Sequence, residues 1–96
     1  MGEKKLDELI YYPSTRKTMI HEVQTALGLY RGRVLTNDQL YYLIRHYAEN
    51  FGYLFFEDDY RIHPQFQRVL GRRNIQILKT IIKEIEHEKQ EENYGG

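Results

Sequence analysis

Four histidines, at positions 21, 46, 63 and 87, are the side chains in this sequence best suited to proton or metal chemistry near neutral pH. None stands three or four residues from another. His46 and Glu49 share a helical face, and His87 lies between Glu86 and Glu88. A metal centre needs three or four converging ligands, and these spacings do not assemble them. Asp58-Asp59 has the form of a paired carboxylate, but adjacent acids between two aromatic runs read as a solvated turn. Ser14 is the only serine and follows a proline, where it reads as a helix cap. There is no cysteine, which removes thiolate zinc sites, cysteine nucleophiles and disulfides together. No glycine-rich phosphate loop, nucleophile elbow or His-Glu-x-x-His run occurs. The expectation is a protein that is not an enzyme and has no metal and no small-molecule cofactor.

Nine tyrosines offer another kind of chemistry, the stacking of nucleic-acid bases. Tyr41 and Tyr47 fall on or near the apolar side of their segment and read as core, whereas Tyr42 falls on the polar side. Tyr11-Tyr12, beside Pro13, reads as a cap on the core or a sticky patch.

The elements that must position these groups fit within 96 residues, enough for a single domain. A hydrophobic share of 41% beside a charged share of 29% describes a globular chain. No apolar run is long enough to cross a membrane. Charges from Glu3 to Glu8 stand where an export signal would be apolar, so a cytoplasmic location is expected.

Leu6, Leu9 and Ile10 outline a short first helix ending at Pro13. Ser14 or Thr15 caps a second, whose apolar face is Met19, Ile20, Val23, Ala26, Leu27 and Tyr30, with Gly28 or Gly32 as its stop. Thr36 and Gln39 form a capping box for a third helix over 36–51, with Leu40, Leu43, Ile44, Tyr47, Ala48 and Phe51 inward. The period then changes to aromatic and β-branched runs, 53–57 and 60–63, which predict a hairpin with Phe55 opposite Ile62 and Phe56 opposite Arg61. Residues 65–71 carry one or two helical turns. A long helix follows from Arg72, with Ile75, Ile77, Leu78, Ile81, Ile82 and Ile85 as its apolar stripe and a frayed tail over 91–96.

A net charge of zero conceals blocks. Residues 10–35 hold Arg16, Lys17, Arg31 and Arg33 against Glu22, and residues 60–81 hold four arginines and Lys79 with no acid. Residues 36–59 hold five acids against Arg45, and residues 82–96 hold five glutamates against two lysines. The two basic stretches either neutralise the acidic ones or form one face.

Three short helices followed by a hairpin is a layout that resembles the winged helix-turn-helix superfamily, from Leu6 to Pro64. The resemblance implies a mainly α (α+β) fold whose helix 36–51 reads double-stranded DNA in a transcriptional regulator. It implies base-edge contacts from Asn37, Gln39, Tyr42, Arg45 and His46. It also implies phosphate contacts from Ser14, Thr15, Arg16 and Lys17 and from the connector Arg31-Gly32-Arg33, with Arg61 on the wing. Against this stand Asp38 and Glu49 on the same helix and three carboxylates, Glu57 to Asp59, at the wing tip.

The extension 65–90 completes the reading. Its stripe, Ile75, Leu78, Ile81, Ile82 and Ile85, predicts a homodimer seam, which would also set two reading helices one DNA turn apart. The rival reading is a non-catalytic interaction module, an adaptor or inhibitor, that offers the acidic face of residues 36–59 to a basic protein partner.

Overall fold

The computed structural model describes residues 9, 11–58 and 60–95, with side chains through Glu91. The order is α1 (Arg16–Arg31), α2 (Asn37–Asn50), a single turn α3 (Gly52–Phe55), a hairpin of β1 (Phe56–Asp58) and β2 (Arg61–Ile62), and α4 (Pro64–Gly95). The fold is therefore mainly α with a two-stranded antiparallel hairpin and a long C-terminal helix. The helix expected over 6–12 lies largely outside the described residues.

Local chemistry sets the helix ends. Thr15 accepts the Thr18 amide at 3.1 Å and opens α1. Gly32 ends it, its amide bonding back to Gly28 at 2.9 Å. The capping box at α2 closes from both sides: the Gln39 amide donates to Thr36 Oγ1 at 3.1 Å, and the Thr36 amide to Gln39 Oε1 at 2.9 Å. Such a cap contributes about 1 kcal/mol.

Three expectations change here. Residues 53–55 form a helical turn rather than strand. The hairpin pairs Phe56 with Ile62 and Asp58 with Arg61 across an irregular register, instead of Phe55 with Ile62. The cause is the aromatic stack. Phe55 lies between Phe56, at 4.7 Å, and Phe66, at 5.0 Å. Burying Phe55 and Phe66 in the core draws Phe55 off the strand, though its carbonyl still accepts the His63 amide at 2.9 Å. The third change is at the tail, where the helix continues through residues 91–95.

Within α4 the chain breaks at Gly71, whose φ of 82° and ψ of 166° only glycine adopts at low cost. The turns 64–70 and the helix from 72 onward are thereby set at an angle. The core is closed by Met19, Val23, Ala26 and Leu27 of α1, Leu40, Leu43, Ile44 and Tyr47 of α2, and the α4 stripe. Ile75, Leu78, Ile81, Ile82 and Ile85 are all buried within one chain. The seam expected between two copies is thus occupied by α1 and α2 of the same molecule. Burial of side chains of this size is worth about 1.5–3 kcal/mol each, which explains why the stripe turns inward.

Candidate nucleic-acid interface

Helix α2 carries the groups expected to read bases, and most of them are engaged elsewhere. Arg45 donates from Nη1 to Glu88 Oε2 at 2.8 Å and from Nε to Glu49 Oε2 at 3.3 Å. Lys89 closes the set on Glu49 Oε2 at 2.8 Å. The last turns of α4 therefore clasp α2 through two cations and two carboxylates. Lys89 and Arg45 hold the Glu49 carboxyl below the usual carboxylate range, against a smaller opposing effect of desolvation. On the same clasp, burial and the Glu88 carboxylate push the Tyr41 hydroxyl up.

His46 is covered from the other side. Its Nε2 lies 2.6 Å from the Tyr11 carbonyl oxygen, and its ring meets Tyr11 and Tyr12 edge-on at 5.6 and 5.4 Å. Gln39 spends Oε1 in the helix cap, which removes the acceptor that bidentate reading of adenine needs. Asn37 and Tyr42 remain exposed, with Asp38 beside them. Of the base-reading set expected on 36–51, Arg45, His46 and Gln39 are thus engaged within the chain.

The phosphate set divides too. Arg16 is a latch. Its Nε donates to the Leu54 carbonyl at 2.9 Å, Nη2 to the Tyr53 carbonyl at 3.3 Å, and Nη1 to Gln65 Oε1 at 3.4 Å. Thr15 is the α1 cap. Ser14, Lys17, Arg31, Arg33 and Arg61 are exposed, and Arg31 bridges to Asn74 Oδ1 at 3.4 Å.

Of these, Lys17 and Arg31 lie on α1, in a region that the sequence outlines only as charge blocks. Helix α1 packs on α4, which brings the two basic stretches together. Between α1 and the turns 64–70 runs a cleft of about 400 Å³, lined by Lys17, Ile20, His21, Gln24, Gln65, Arg68 and Val69. Its lining holds no carboxylate. Lys17, His21, Gln24, Gly28 and Arg31 follow one another along a single exposed stripe of α1. On α4, Arg68 lines the same cleft, and Arg72 and Arg73 are exposed just beyond the Gly71 break. A second cleft, on the hairpin side, holds Arg61, Lys79 and Lys83 with Glu86 at its edge. Residues 11–35 and 60–83 contain one acid, Glu22, and it is only 1% exposed. It sits near Tyr47, whose hydroxyl is pushed up mainly by burial and in part by the Glu22 charge.

Arg68, Arg72 and Arg73 were absent from the expected site. The acid-free run 60–81 was the signal that could have placed them there. What it lacked was the partner stretch, which only packing supplies. No group of three or more metal-ligating side chains converges among the described residues.

No family model, curated protein or solved structure matches this chain. The face must therefore be read from its own chemistry.

Proposed function

We propose that this protein is a small, non-catalytic DNA-binding protein that holds the phosphate backbone along the face shared by α1 and the first half of α4. One observation carries the reading: two basic stretches distant in sequence are brought together where α1 packs on α4, and the cleft between them, lined by Lys17 and Arg68, holds no carboxylate. Helix stability does not account for these charges. The first turn of a helix is its positive end, where acids stabilise and cations cost energy. Helix α1 nevertheless exposes Lys17 in its first turn and has no acid there. Arg72 and Arg73 likewise follow directly on the Gly71 break. A polyanion offsets that cost.

The grip is one of backbone and shape, in a small regulator or architectural protein, rather than a reading of base edges by α2. Titrating a short labelled duplex at several salt concentrations by fluorescence anisotropy tests it. With about five or six phosphates engaged, log K should fall against log salt with a slope of about −5. Absence of duplex binding near 50 mM salt would end the reading.

The rival reading rests on exposed Asp38 and Tyr42 of α2 and on exposed Glu57 and Asp58 of the hairpin. It predicts that reversing Asp58 abolishes capture of a basic protein partner without disturbing the fold.

A further inference from the structure

Two tyrosines near the start of α1 stand well out of the surface: Tyr12 is 76% exposed and Tyr53 is 69% exposed. They are joined through Phe51, whose ring lies 6.0 Å from Tyr12 and 6.3 Å from Tyr53. Together the three rings make an aromatic shelf beside the start of α1.

The shelf adjoins the basic cleft through one side chain. Arg16 binds the backbone carbonyl of Tyr53 and, with the same guanidinium, the side chain of Gln65 in the cleft wall. Its neighbour Lys17 lines that cleft. A positive groove leading to exposed aromatic rings is the arrangement that holds single strands, with the groove tracking phosphates and the rings stacking bases. Paired bases cannot reach such rings, because their faces are covered within the duplex.

We infer that Tyr12, Phe51 and Tyr53 stack the unpaired bases of a strand whose phosphates occupy the cleft of Lys17 and Arg68. The preferred ligand is then a single strand, or a duplex with a single-stranded end. This rests on the phosphate-binding reading above and adds base contact to it.

The test uses the full chain and three labelled probes: a single-stranded DNA oligomer, its abasic counterpart of equal length, and a blunt duplex. The base-bearing strand should bind most tightly and quench tyrosine emission, while the abasic strand should not quench. Tyr53→Ala and Tyr12→Ala should each weaken the base-bearing strand about tenfold, the order of one stacking contact. Both should leave the abasic strand and the duplex unchanged, and Tyr53→Phe should retain binding. Arg68→Glu should weaken all three probes. Equal affinity for base-bearing and abasic strands, or tyrosine variants that bind as the parent does, would overturn the shelf. If Arg68→Glu still weakens every probe in that case, the phosphate face stands alone. Failure of all three probes to bind overturns both.

Discussion

Two surfaces of this molecule carry arginines, and they use them in opposite ways. On α2, Arg45 is pinned between Glu49 and Glu88, and Lys89 completes a neutral quartet. In the cleft between α1 and α4, Lys17 and Arg68 are exposed beside Gln24, Gln65 and Val69. A cation next to carboxylates holds elements together. A cation whose neighbours are glutamine and valine has its charge left for something outside the chain. The difference teaches that an arginine's neighbours, more than its place on a helix, decide whether it can meet a phosphate.

The comparison can be broken most severely at the element both surfaces share. Leu78 is fully buried under the stripe of α4, and Leu78→Ala should cost about 2–5 kcal/mol in urea unfolding. Both surfaces should be lost together in one transition. If the stripe served a second copy instead, the variant would chiefly shift oligomeric state in sedimentation, with little loss of monomer stability.

Charge reversal sharpens the contrast next. Replacing Arg68 and Arg72 together by Glu should lower duplex affinity by about 100-fold near 100 mM salt, and the salt slope should flatten. Arg45→Ala should leave that affinity within about twofold. The opposite ranking in an anisotropy titration would return the reading helix to α2.

The smallest effect is expected at the clasp itself. Its members are partly exposed, so Arg45→Ala should cost about 0.2–1 kcal/mol. Because the Glu49 carboxyl is held below its ordinary range, its contribution is fully present above about pH 4.3. It disappears as pH falls below that value, when Glu49 takes up a proton. Urea midpoints measured across the acid range should show this dependence weakened in Glu49→Gln. An unchanged profile would mean that the clasp adds nothing.

Much of the fold was legible in the residues. Thr15, Thr36 with Gln39, and Gly32 mark helix ends through short-range hydrogen bonds, and the break at Gly71 follows from a glycine between two apolar periodicities. The single turn α3 was not, because burial of Phe55 between two other rings overrides its strand propensity. Nor was the clasp legible: Arg45 and Glu88 are 43 residues apart. The burial of Glu22 was not legible either, because nothing beside it in the sequence marks it. The candidate site suffered most from these gaps. Helical spacing says which side of α2 is polar, but not that another helix and the chain around Tyr11 lie across it.

The order of charges along α4 has a consequence for encounter. From Pro64 to Lys83 this helix has cations and no acids, and from Glu84 to Glu92 it has five glutamates and one lysine. In a molecule 47 Å long with zero net charge, that gradient is an electric dipole. Within a Debye length of about 8 Å, a polyanion exerts a torque on it before contact. On the proposed phosphate-binding reading, a neutral protein of this kind would turn its basic end forward as it arrives, and added salt would slow that arrival as well as weaken the grip.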